Sequence, residues 1–189
     1  MNTKTIELDL ETYDTPGLRR YTIKGDCVIP SRIIVKNNRL IMLVNICGES
    51  DNEHDLRVEV HGTGWPIPNA ENIKYAGTGV IAGGRYVWHV FYSFAKKDEA
   101  TKNSNNDDMR IFTIFKYPIA DSGTTTISFD HKFVMPLHVG LQNGELMLWV
   151  LFEVVSTLQE STRVFVAVDD GELIDGAKLV VRLNYLKST

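Results

Sequence analysis

The chain is poor in cysteine and proline, carries no basic excess and has no long apolar run: two cysteines and six prolines in 189 residues, with a formal net charge of −4. Each scarcity excludes something. Cys27 and Cys47 are far from the C-x-x-C spacing of a metal or redox site, so no metal centre or disulfide framework is expected, and both read as buried or incidental thiols. Net negative charge argues against nucleic-acid binding, whose affinity comes chiefly from neutralising phosphates. The longest apolar stretch, Leu146–Phe152, falls far short of the roughly 20 residues of a membrane-spanning helix and suits a buried strand. The N-terminal Met1–Asp14 is acidic and alternating, without the basic and apolar regions of a secretion signal, so a cytoplasmic protein is expected. Catalytic patterns are absent too. There is no G-x-S-x-G turn and no H-E-x-x-H, and the histidines His54, His61, His89, His131 and His138 show no ligand spacing with the cysteines. The acidic pairs Asp107-Asp108 and Asp169-Asp170 fall in polar segments where solvation explains them. A non-enzymatic protein without cofactor or metal is therefore expected.

What the sequence does have is period-two alternation and an internal repeat. Thr5–Tyr13 puts Ile6, Leu8 and Leu10 on one face, and Leu56–Val60 and Thr162–Val168 alternate likewise, while no ten-residue segment shows helical periodicity. Pro30 and Pro136, like Arg57 and Arg163, stand 106 residues apart. In that register Pro30–His61 shares eight identities over 32 positions with the later segment: Pro30/Pro136, Asn37/Asn143, Leu40/Leu146, Val44/Val150, Ser50/Ser156, Arg57/Arg163, Val58/Val164 and Val60/Val166. About two would arise by chance if residues matched at the one-in-seventeen rate typical of unrelated segments, so the halves read as related modules filling equivalent core positions. Asn143-Gly144 is the strongest two-residue hairpin signal, and Asn37-Asn38 is its weaker counterpart. The expected fold is all-β: two tandem antiparallel sandwiches or half-barrels related by a pseudo-twofold, spanning residues 1–94 and 111–189. The polar stretch 95–110 reads as their linker, with room for only a brief helix at Asp98–Asn103. Such a tandem acts as a built-in dimer and is compatible with a homo-oligomer.

The repeat is interrupted once. Gly83–Ser93 resembles Gly176–Leu186, but the offset there has shrunk to 93, so Trp65–Gly83 reads as a loop that the second module lacks and that the shared core does not require. Around this loop lie His61, Gly62, Thr63, Gly64, Trp65, Gly77, Thr78, Arg85, Trp88 and His89, the candidate ligand-binding residues. Glycines let the backbone approach a bound group, threonines add hydroxyls, and tryptophans offer flat faces for stacking, a set suited to a planar or phosphorylated small molecule. The bland alternative is that Gly-Thr-Gly marks turns and bulges and that Trp88 and His89 are core. His89 stays a candidate because the second module has Arg182 at its position.

The Gln142-Asn143-Gly144 hairpin with Leu148-Trp149, Gly62-Thr63-Gly64 followed by Pro66-Ile67, Gly77-Thr78, and Val87-Trp88-His89 with Phe91 resemble a small phage-encoded domain family of unknown function. Where its pattern has histidine after Gly-Thr-Gly, this chain has Trp65. The resemblance implies a viral origin and a non-enzymatic accessory role. The loop present in one module, with its stacking and hydrogen-bonding residues, leads to the expectation of a protein in the host cytoplasm that sequesters a nucleotide-like ligand or inhibits a host defence protein. A structural or decoration protein of the virion, and a carbohydrate- or peptide-binding module using Trp65 and Trp149 as platforms, are the alternatives. The partners expected are thus a small molecule or a host or phage protein, with neither nucleic acid nor membrane.

Overall fold

The computed structural model describes residues 2–10, 17–68, 72–95, 110–155 and 161–167. They form thirteen strands: β1 (Thr3–Asp9), β2 (Gly17–Lys24), β3 (Cys27–Lys36), β4 (Arg39–Cys47), β5 (Glu53–Gly62), β6 (Ile67–Pro68), β7 (Lys74–Ile81), β8 (Tyr86–Phe94), β9 (Ile111–Pro118), β10 (Gly123–Phe129), β11 (Lys132–Gln142), β12 (Glu145–Val154) and β13 (Ser161–Ala167). The fold is all-β, and among the described residues the one helical element in this order is a short 3-10 turn at Ala82–Gly84. Every strand pairing is antiparallel, in four sheets ordered β1-β4-β3, β2-β5-β8-β7, β11-β12-β9-β6 and β10-β13, none closed into a barrel.

The sheets stack as successive layers, and three apolar cores lie between them. Leu40, Met42 and Val44 of β4 meet Leu56, Val58 and Val60 of β5 in the first. The outer face of that second sheet, through Val87 and Phe91, meets Phe112, Ile114, Met147, Trp149 and Leu151 in the middle core. Leu148, Val150 and Phe152 then face Ile127 and Phe129 in the third. Strand β12 is buried from both sides over Met147–Phe152, and for this reason its sequence is a continuous apolar run rather than an alternation. Strand β8 is likewise buried over Val87–Phe91, where the run is apolar except for His89.

Turn chemistry sets both central hairpins. Asn37 and Asn38 have φ of 51° and 59°, and Asn143 and Gly144 have 54° and 84°, the doubly positive pattern of a two-residue hairpin turn whose twist matches the flanking strands. The pairings β1–β4, β3–β4 and β2–β5 of the first half recur as β9–β12, β11–β12 and β10–β13 in the second. Even single bonds recur: the Leu10 amide donates to the Leu40 carbonyl at 2.9 Å, and the Ile119 amide to the Leu146 carbonyl at 3.0 Å.

Two expectations are corrected. The register of 106 does not carry through to the last shared strand: Val58 is fully buried whereas Val164 is 59% exposed, and Phe165 packs inward instead. A one-residue slip exchanges the two faces of a strand, so identity of type there did not mean identity of environment. The segment Trp65–Gly83 is also no dispensable loop. It supplies β6, which pairs with β9 of the second half, and β7, which closes the edge of its sheet, and Ile67 and Ile81 are core residues. At Gly79 a Cβ would fall 2.0 Å from the Leu40 side chain, so glycine there serves close sheet packing rather than a turn. The proposed match in Gly176–Leu186 and the brief helix at Asp98–Asn103 lie outside the described residues.

Candidate functional site

Strand β5 ends and β8 begins at one edge of the middle core, and there a cleft of about 350 Å3 opens. It is lined by Gly62, Thr63, Trp65, Arg85, Tyr86, Val87 and Trp88 from the first half, and by Lys116 and Gln142 from the second. Five of the ten candidates thus share one site. Gly62 lies opposite Trp88 in the β5–β8 register, and a Cβ on Gly62 would meet the ring of Trp65 at 3.3 Å and that of Trp88 at 3.5 Å. Glycine here lets two indoles close over the strand end. Tyr86 stacks on Trp88 with ring centroids 6.4 Å apart and planes inclined by 23°. Trp65 and Tyr86 remain roughly half exposed, a large apolar payload left facing water. The indole nitrogen of Trp88 is buried with no hydrogen-bond partner among the described residues.

Among the described residues the cleft's charge is one-sided: Arg85 and Lys116 line it, and no carboxylate does. The Lys116 ammonium donates to Gln142 Oε1 at 2.9 Å, and Gln142 in turn donates toward the Gly84 carbonyl at 3.4 Å, so a chain of polar groups crosses from one half to the other. Aromatic faces beside fixed cations suit a flat, negatively charged guest.

The other five candidates serve different ends. Gly64 donates its amide to the Ile114 carbonyl at 2.7 Å and, with Thr63 accepting from the Trp149 indole at 3.2 Å, latches the strand end onto the second half. His61 and His89 are directly opposed in register on the face turned toward the middle core. His61 Nε2 lies 3.1 Å from a Glu59 carboxylate oxygen. His89 is fully buried, its Nδ1 hydrogen-bonded to Thr78 Oγ1 at 2.8 Å, which itself bonds the Tyr75 hydroxyl. Burial first, then the neighbouring His138 and His61, pushes the His89 pKa down to about 3, and burial raises that of Tyr75 to about 12. Both are neutral at ordinary pH, a buried polar chain within an interface rather than an exposed acid or base. Gly77, at φ 150° beside a register shift, abuts Ile33 and so faces the first core, away from the cleft.

Tyr86, Lys116 and Gln142 were not among the candidates. Gln142 carried a signal, since it opens the Gln-Asn-Gly motif. Lys116 sits on a strand of the other half with nothing local to mark it. Among the described residues no group of histidine, cysteine and carboxylate side chains is placed to hold a metal ion, and no helix is long and apolar enough to cross a membrane.

The fold and the cleft define an all-β protein of stacked antiparallel sheets with an aromatic, cationic cleft where its halves meet. Residues 20–101, from β2 through the end of β8 and beyond, match a domain of unknown function, DUF7352. No curated protein and no solved structure matches the chain.

Proposed function

We propose that this is a non-enzymatic binding protein whose cleft takes a planar, anionic small molecule of the nucleotide class. One observation carries the reading: Trp65, Tyr86 and Trp88 share a cleft with Arg85 and Lys116, and no acidic side chain lines it among the described residues. A base or similar ring stacks on the indoles, and a phosphate meets the cations. The volume falls at the small end of the range for small-molecule sites and suits one ring system with an attached phosphate rather than a polymer. The motif resemblance to phage-encoded domains supports a role in an infected cell, where the protein sequesters such a molecule or blocks the host defence protein that uses it.

We further infer that the halves descend from one duplicated module, which the shared hairpin turns and the recurrent strand pairing support. Fusion gave one half the aromatic wall of the cleft and the other Lys116 and Gln142, an asymmetry that two identical subunits could not evolve.

Isothermal calorimetry against a panel of mono- and dinucleotides tests the binding. One member is expected to bind with unit stoichiometry, and Trp65→Ala to weaken it by roughly fivefold or more, since base stacking on an aromatic contributes roughly 1–3 kcal/mol. Absence of heat across the whole panel overturns the proposal.

A further inference from the structure

Far from the cleft, the open end of the β3–β4 hairpin brings the two cysteines together. Cys27 and Cys47 are directly opposite in the antiparallel register, both free and both partly exposed. The two thiols are near enough to perturb one another, with Cys27 the leading cause of a raised pKa at the Cys47 thiol. Opposed residues in an antiparallel pair have Cα atoms about 4.5 or 5.5 Å apart, and both values lie within the span a disulfide bridges without backbone movement. Sequence separation hid this, because two thiols twenty residues apart carry no motif.

The second half shows what that position does. In the corresponding β11–β12 hairpin the outermost opposed pair is Lys132 and Glu153, joined by an ion pair of 2.7 Å. One hairpin is clasped at its mouth by charge. The other carries two thiols in the same place.

We propose that Cys27 and Cys47 form a reversible cross-strand disulfide, a redox-controlled clasp on the first sandwich. With glutathione disulfide as oxidant, one thiolate attacks a sulfur of the glutathione pair, forming a mixed disulfide and releasing one glutathione thiolate. The neighbouring cysteine, as thiolate, then attacks the protein sulfur of that mixed disulfide and releases the second glutathione. Two protein thiols lose two protons and two electrons, one protein disulfide forms, and one glutathione disulfide becomes two glutathione molecules. In a reducing cytoplasm the pair stays open, and it closes when the glutathione pool is oxidised. Closure ties β3 to the central strand of its sheet next to the Gly25-Asp26 bend, where the chain passes from one sheet of the first sandwich to the other.

The full-length protein is incubated in glutathione buffers of graded ratio, alkylated, digested with trypsin and mapped by mass spectrometry. Trypsin separates Gly25–Arg32 from Leu40–Arg57, so the disulfide is read as these two peptides linked, with loss of both free thiols and no added glutathione. The oxidised protein is expected to melt roughly 5–10 °C higher than the reduced form, because the crosslink restricts the unfolded chain, and to return on reduction. Cys27→Ser should remove the shift while leaving the reduced-state melting temperature within about 2 °C. Thiols that stay free across the series, a stable glutathione adduct on either cysteine, or disulfide-linked dimers overturn the proposal. Because the thiols lie beside the bend that faces the start of β5, and the cleft lies at the Gly62 end of that strand, nucleotide binding should be equal in both redox states, so this result stands apart from the calorimetric one.

Discussion

The two sandwiches use one pairing scheme and fill it differently. The first core is almost wholly aliphatic, with Leu40, Met42, Val44, Leu56, Val58 and Val60 at its centre and Trp88 at its rim. The third is aromatic: Phe129 and Phe152 have ring centroids 4.9 Å apart, and Phe115, Tyr117 and Phe133 surround them in tilted and edge contacts. Where Ile46 stands in one hairpin, Phe152 stands in the other. The comparison teaches that hairpin turn and alternation carry the scheme, while volume is free to redistribute as long as the layer stays filled. Between the sandwiches lies a third kind of core, apolar but threaded by Tyr75, Thr78 and His89, and specific to the meeting of the halves.

The strongest way to break this comparison is at that middle core. Trp149→Ala removes a fully buried indole that packs near His89 and His138 and bonds Thr63, and is expected to cost about 3–5 kcal/mol by urea denaturation. A loss under about 1 kcal/mol would mean that the halves stand independently of their interface. The equivalence of the two outer cores is tested by Val44→Ala and Val150→Ala, both fully buried at matching positions of the repeated strand. Each should lose about 2 kcal/mol, and a difference above about 1.5 kcal/mol would show that the layers relax differently around the same deletion.

Acid gives the smallest effect per step. His89 has a folded-state pKa of about 3 against 6.5 unfolded, so the unfolded chain binds a proton that the folded one refuses. Stability from its neutral state is fully present above pH 6.5 and declines as pH falls from 6.5 toward 3, by about 1.4 kcal/mol per pH unit at most. His89→Gln should remove this part of the acid limb in denaturation curves taken between pH 7 and 4. Curves of unchanged slope would show that His89 does not govern acid sensitivity.

Much of the fold was legible because its causes are local. Asn143-Gly144 and Asn37-Asn38 specify their turns by tolerating positive φ, and Ile6, Leu8 and Leu10 declare an inward face by spacing alone. Strand β7 was hidden, since Gly77 and Gly79 resemble turn residues until Ile33 and Leu40 are seen occupying the space of the missing Cβ atoms. Of the candidate site, Gly62, Thr63, Trp65, Arg85 and Trp88 could be gathered from the sequence because they cluster within 27 residues and share a chemistry. Lys116 could not, because what makes it part of the cleft is the packing of one sheet on another.

Residue order thus determined the all-β class and the two central hairpin turns, through backbone sterics and period-two burial that act over a few residues. Tertiary structure alone decided that Trp65–Gly83 is interface rather than excursion, that His89 is sealed in a core, and that Cys27 faces Cys47. Those outcomes depend on which surfaces meet when sheets stack, a long-range consequence of burying both faces of β8 and β12 that no short stretch of chain encodes.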